Sequence, residues 1–175
     1  MKHKKSNTLW KHVRAITLLP FMVNVVIPTL ILYFSKSLNI GWGLSAPLNI
    51  LPILIGGCFL GLGLCLLVSC ISLFATVGQV TLADWDPTHK LVIQGPYLHV
   101  RNPMISGVFC ILLGESILFG SLYLFTWFLL FVVLNLVYMP LYEEPGLIRR
   151  FGREYLVYKK NVPRWIPRLK PWKVP

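Results

Sequence analysis

The chain has 175 residues, 55% of them hydrophobic and 13% charged, with a mean hydropathy of +0.66. These values exclude a water-soluble globule, and 13 Gly with 13 Pro are too few, beside so much apolar content, for a collagen-like or disordered chain. A formal charge of +11 would suggest nucleic acid in a soluble protein, but the basic residues fall between and after long apolar runs, where anionic lipid headgroups attract them. The expectation is a membrane protein with no nucleic-acid partner.

At about 1.5 Å per residue, a helix needs roughly 20 apolar residues to cross a bilayer core. Four segments meet or approach that length: 15–34, 48–77, 104–120 and 122–142. Backbone groups in hydrocarbon must bond within their own segment, and the runs are too continuous for barrel strands, so the spans should be helices. The basic start, Met1 to Lys5, resembles the head of a signal peptide, yet the run from Ala15 to Phe34 is longer than a cleavable apolar core and reads as a span. Cys58, Cys65, Cys70 and Cys110 lie inside apolar stretches without a CxxC pair, so they predict neither zinc nor disulfides.

Five Lys and Arg precede the first span, Lys90 and Arg101 lie between the second and third, nine follow the fourth, and only Lys36 sits on the other side. The positive-inside rule then places both termini and the 78–103 loop in the cytoplasm, with Ser121 on the opposite face. Only Gly120 and Ser121 separate the last two spans, which forces an antiparallel hairpin. Pairing residues outward from Ser121 sets Asn102 and Pro103 opposite Met139 and Pro140, with Glu143 and Glu144 emerging near Arg101 and Tyr97.

Within the second span, Gly57 to Gly61 and Gly61-Leu-Gly63 lack the preceding strand of a nucleotide-binding loop and read as close helix packing. Glu115 is the one acidic residue inside a span; the hairpin register sets it opposite Trp127, whose indole would satisfy it as structural polar glue. Asp84, Asp86 and His89 fit a solvated turn around Pro87 better than a metal site. In the tail, Leu147, Ile148, Phe151, Tyr155 and Tyr158 follow helical spacing and predict a basic amphipathic helix lying on the inner leaflet. The pair Glu143-Glu144 at the membrane edge would repel an anionic leaflet, so a cationic partner is expected.

Two stretches carry a resemblance: G-P-Y-x-x-x-R-N-P-M at Gly95 to Met104, and E-E-x-x-L-x-x-x-F-G-x-x-Y-x-x-Y-x-x-x-V-P-R at Glu143 to Arg164. In this order around a hairpin they resemble the integral-membrane isoprenylcysteine carboxyl methyltransferases and the related phospholipid methyltransferases, over roughly the last 95 residues. The runs predict an all-α polytopic fold in a single membrane domain, 1–175, and the resemblance implies an S-adenosylmethionine site built from 84–105 and 143–167. By matching position, His89, Leu91, Val92, Tyr97, Asn102, Pro103, Met104, Ile105 and Glu143 would bind that cofactor. A carboxylate and aromatic faces suit its sulfonium and ammonium, and Arg101 or Arg153 suits its carboxylate. Glu144 and His99 are the candidates for a general base, and no metal is implied.

Asn102 and Ile105 depart from the His and Tyr usual in the prenylcysteine enzymes, although Arg-Asn-Pro-Met is familiar among bacterial relatives, which points to a bacterial inner membrane or its equivalent. Met139 stands where those enzymes carry an arginine associated with the substrate. The acceptor thus stays open among an isoprenylcysteine-like carboxylate, a lipid amine and another small lipophilic molecule. Two other readings fit parts of the pattern: an NADPH-dependent reductase of the sterol reductase type, and a non-catalytic membrane adaptor.

Overall fold

The computed structural model describes residues 18–77 and 91–173. Expectations attached to the N-terminal basic run, to Asp84, Asp86 and Lys90, and to His89 as a cofactor residue lie outside the described residues. The described chain is helical, with no strand among the described residues. A π-helical turn, Met22–Val26, leads into helix α1 (Ile27–Ser35), and a 3-10 turn, Ile40–Gly43, precedes α2 (Ile50–Val77). A second 3-10 turn, Gly95–Leu98, precedes α3 (Pro103–Leu118) and α4 (Leu122–Tyr138), which runs through a π-helical turn, Met139–Glu143, into α5 (Glu144–Asn161).

Three stretches are long and apolar enough to cross a membrane: Leu18–Gly43, Ile50–Leu73 and Leu122–Asn161. The expected span over 104–120 appears as a shorter apolar helix of 16 residues, about 24 Å long against a bilayer core of about 30 Å. The 40-residue stretch is about twice the length a crossing needs, and its apolar part ends near Tyr142, as the sequence predicts. Beyond that point α5 is polar and belongs to the site.

Prolines account for the irregular turns. Pro28 and Pro140 each remove a helical N–H and crowd the carbonyl four residues earlier. In both places the backbone widens by one residue: Ile27 N–H donates to Met22 O, and Glu144 N–H donates to Met139 O. Pro103, at the first position of α3, needs no such adjustment, because its missing N–H has no partner there anyway.

Helices α2 and α3 touch backbone to backbone. A Cβ added at Gly63 would stand 2.6 Å from Gly107 O, and one at Gly114 would stand 2.8 Å from Gly56 O. Both pairs are spaced seven residues apart, two helical turns, so the four glycines line one seam. Lipid offers no hydrophobic force to drive helices together, and close approach at small residues supplies van der Waals contact instead. Glycine packing was expected at Gly57, Gly61 and Gly63, but Gly57 and Gly61 face open space, and Gly56 takes their place.

The turn between α3 and α4 is the predicted two-residue connection. Gly120 adopts φ +56, and a side chain there would run into Asn39 O and the Trp42 backbone. Asn39 N–H bonds Phe119 O at 2.9 Å. A row of hydroxyls joins Ser35, Ser37 and Ser121 at 2.6 and 2.7 Å, and Ser121 Oγ caps α4 by accepting from Leu124 N. Between the helices, Val108 and Leu112 pack with Val23, Leu67, Trp127, Phe128 and Phe131. Trp127 does not satisfy Glu115 as expected: its indole donates to Val23 O at 3.3 Å. Glu115 Oε2 is buried with no hydrogen-bond partner among the described residues.

The seam gives a direct test. Gly63→Ala should lower stability by about 1–3 kcal/mol, the usual cost of overpacking, while Gly61→Ala, pointing into open space, should change it by less than about 0.5 kcal/mol. Thermal unfolding of both variants in nanodiscs checks the contrast, and equal effects would contradict the seam.

Candidate functional site

At the end of the hairpin opposite Ser121, three chain segments meet around one carboxylate. Arg101 enters from the loop before α3, Glu144 and Lys159 from the two ends of α5, and Arg164 from the tail that follows. Arg101 Nη1 and Arg164 Nε donate to Glu144 Oε1 at 2.8 and 2.7 Å, and Lys159 Nζ stands 2.8 Å from Oε2. The side chains of Glu144 and Arg101 are only 4% and 8% exposed, so the pair is screened from water. Burial alone would raise the Glu144 carboxyl, but hydrogen bonds from Arg164 and Lys159 and the Arg101 charge outweigh it and hold the carboxyl below its ordinary value.

Both Glu143 and Glu144 were expected near Arg101, and it is Glu144 that pairs with it. Glu143 sits beside it, half-buried, and its charge reaches both Tyr97 and Tyr155, opposing ionisation of their hydroxyls. The three tyrosines form a connected set. Tyr158 Oη donates to Tyr97 O at 2.8 Å, Tyr155 Oη accepts from Arg101 Nη1 at 3.4 Å, and the Tyr97 side chain hydrogen-bonds Cys70 of α2. Burial first, then Cys70 and Tyr158, push the Tyr97 hydroxyl well above its ordinary value, and burial with Tyr155 does the same to Tyr158. All three are neutral hydroxyls at physiological pH.

Much of the apolar face of α5 packs on the protein itself. Tyr155, Tyr158 and Val162 are buried, with Leu147, Ile148, Phe151, Leu91, Ile93 and Trp172 packed against them. Backbone bonds lace the tail to the loop: Arg101 N–H to Pro163 O, Arg168 N–H to His99 O, and Trp172 N–H to Leu98 O, at 2.9, 2.9 and 3.0 Å. Gly152 makes this possible. Its φ of 54 with ψ of −127 is closed to residues with a side chain, and it turns the second half of α5 back over the loop.

The other expected cofactor residues distribute as follows. Leu91 lies under α5 in the tyrosine cluster, with Val92 half-buried beside it. Asn102 precedes α3, and its carbonyl accepts from Ser106 N and Oγ, both at 3.0 Å. Pro103 is buried, Met104 and Ile105 are half-buried in the first turn of α3, and Arg153 is exposed. Of the two candidate bases, Glu144 is held by three cations and is a weak one. His99 Nδ1–H is committed to Arg168 O at 2.7 Å, which leaves Nε2 as the ring's accepting nitrogen. Lys159 and Arg164 were not anticipated as partners of Glu144; the signal was the Arg of Val-Pro-Arg, a cation placed twenty residues beyond a carboxylate. No group of three metal-ligating side chains occurs among the described residues.

The family model for phospholipid methyltransferases matches residues 51–154, more than half of the chain, and the protein belongs to that family. Curated relatives include protein-S-isoprenylcysteine O-methyltransferase of Mus musculus, 34% identical over 101 residues covering 55% of this chain and 34% of the relative. The enzyme of the same name from Schizosaccharomyces pombe is 31% identical over 95 residues, 51% of this chain and 38% of the relative. The chain thus spans little more than a third of the length of these relatives. No solved structure matches.

Removing the hub carboxylate tests the site's architecture. Glu144→Gln leaves the buried Arg101 charge uncompensated and should cost about 3–5 kcal/mol. Because the folded Glu144 carboxyl is held below its unfolded value, its contribution is fully present above about pH 4.3, the ordinary Glu value, and is lost as pH falls through the folded value. Thermal melts across that range should show this acid-side loss in the parent and its absence in the variant.

Proposed function

We propose that the protein is an integral-membrane methyltransferase that moves a methyl group from S-adenosylmethionine to a lipophilic acceptor arriving from the bilayer. The observation that carries this reading is the meeting of both family stretches, Gly95 to Met104 and Glu143 to Arg164, at one end of the hairpin through Arg101, Glu144 and Arg164. The names of the curated relatives support the same chemistry and suggest an isoprenylcysteine-like acceptor; a lipid amine or another small lipophilic molecule fits the site equally.

The residues present fit such a cofactor. Glu143 offers a carboxylate, Tyr97 offers a ring face, and Arg153 offers an exposed cation. Arg101 Nε and Trp165 Nε1 are buried donors without partners among the described residues, as expected where ligand oxygens bind. S-adenosylmethionine supplies an electrophilic methyl on a sulfonium. Glu143 would hold the ligand's positive end, neutral Tyr97 would line it without adding charge, and the packed tail would keep water from the reacting atoms. An acceptor that carries a proton would need a base, and His99, whose Nε2 is its accepting nitrogen, is the better placed of the two candidates because Glu144 is held by three cations.

In this reading the protein has four spans, the site and both termini are cytoplasmic, and the Ser121 turn faces the other side, as in a bacterial inner membrane. Ser121 itself is buried, so a probe belongs at Leu122, which is exposed. Labelling of a cysteine at 122, after replacement of the native cysteines, should occur from outside intact cells; labelling only after the inner face is opened would reverse the orientation.

Cofactor choice is tested by ligand-dependent stability. S-adenosylmethionine or its demethylated product should raise the melting temperature of protein in nanodiscs with a concentration dependence set by binding. Stabilisation by NADPH alone would support the reductase reading, and stabilisation by neither would support an adaptor. Isothermal titration should show that Glu143→Gln weakens binding by about 1.5–3 kcal/mol, while Glu115→Gln stays within about twofold. The decisive assay is transfer of a labelled methyl group in membranes, with the product identified by mass spectrometry.

A further inference from the structure

The tail beyond α5 carries the two most exposed large hydrophobic residues of the described chain. Ile166 is 80% exposed and Leu169 is 100% exposed, and neither belongs to a helix. They alternate with cations in the run R-W-I-P-R-L-K-P-W-K, from Arg164 to Lys173. Backbone bonds to Leu98 and His99 hold this segment in place, and Trp172 packs on Tyr158 with ring centroids 5.9 Å apart. Such exposure is therefore imposed by the fold.

Neighbouring contacts give the depth. Trp165 lies on Phe109, with centroids 5.2 Å apart and planes tilted by 36°. Phe109 is six residues into α3, about 9 Å along the helix from Pro103, and it also packs edge-on against Phe128 and Phe131 of α4. The tail thus touches the apolar wall of the hairpin at Trp165, and exposed Ile166 and Leu169 lie between that contact and exposed Lys170 and Lys173 in the chain. An apolar tip between aromatic and cationic flanks matches the gradient from acyl chain to anionic headgroup.

We propose that residues 164–173 form an interfacial anchor, in which Ile166 and Leu169 insert into the leaflet beside the site and Lys170 and Lys173 rest on anionic lipid headgroups. Because Pro163, Arg168 and Trp172 bond the loop carrying Tyr97, His99 and Arg101, the anchor ties the site to the charge of the surrounding lipid. The inference rests on the membrane placement proposed above, whose failure would appear in the labelling at Leu122, and is independent of methyl transfer.

An environment-sensitive fluorescent amino acid, placed at 169 in the full chain, tests it in nanodiscs of phosphatidylcholine with and without phosphatidylglycerol. Emission should be blue-shifted and quenched by lipids bearing a nitroxide near the top of the acyl chain, more strongly with phosphatidylglycerol present. The same residue at exposed Lys160 should stay water-like. Replacing Lys170 and Lys173 with Gln should lower the inserted-to-free ratio by about fivefold per lysine, and added salt should act in the same direction. Water-like emission at 169 in both bilayers overturns the anchor, and quenching that ignores phosphatidylglycerol and both lysines overturns anionic lipid as its partner. Leu169 makes no contact to lose, and a second label at 166 repeats the reading should the first variant misfold.

Discussion

One carboxylate organises the end of the molecule opposite the Ser121 turn. Glu144 is nearly shut off from water, and three cations from three chain segments compensate it. A lone buried carboxylate is costly, and a lone buried Arg101 equally so, so neither can be withdrawn without stranding the other. At an effective dielectric of about 20, unit charges about 4 Å apart attract by roughly 4 kcal/mol before desolvation is subtracted, and the Lys159 pair, its lysine 38% exposed, contributes less because water screens it. The arrangement therefore gives cohesion between segments more than net stability. The loop, the two halves of α5 and the tail are held together at one point, and the tyrosines and Glu143 are positioned by that junction.

The membrane half obeys a different constraint. Helices in lipid gain little from burying apolar surface, and the exposed faces of α2 and α4 carry many large hydrophobic residues. Cohesion comes from the glycine seam between α2 and α3, the aromatic packing between α3 and α4, and the serine row at their turn. Glu115 stands apart from all three, an acid near the hairpin's closed end whose Oε2 has no partner among the described residues.

The sequence made the apolar helices, the two-residue hairpin and the convergence of loop and tail legible, because these follow from run length, loop length and motif order. Which glutamate meets Arg101 was not legible. Register counted in ideal helical turns assumes 3.6 residues per turn, and the widened turn at Pro140 breaks that count. The amphipathic pattern of Leu147 to Tyr158 gave the right period, but that loop residues Leu91 and Ile93 pack on this face was not legible, because periodicity reveals an apolar face without saying what covers it. Gly152, which lets that face fold onto Leu91 and Ile93, looks in the sequence like any helix-flanking glycine. That the Trp127 indole goes to the Val23 carbonyl and not to Glu115 is a choice no spacing rule decides.

The widened turn at Met139–Glu143 also sets the angular phase of everything after it. One residue beyond the α-helical count retards the following helix by about 100° about its axis. Deleting a single residue there would restore an uninterrupted α-helix and swing the face now presented by Glu144 around toward its neighbours' side. The helix would still be apolar where it crosses and polar where it emerges, so length and hydropathy would look unchanged. Arg101, on the loop before α3, would nonetheless lose its carboxylate, and a chain nearly indistinguishable from this one by composition would lack the junction on which its site is built.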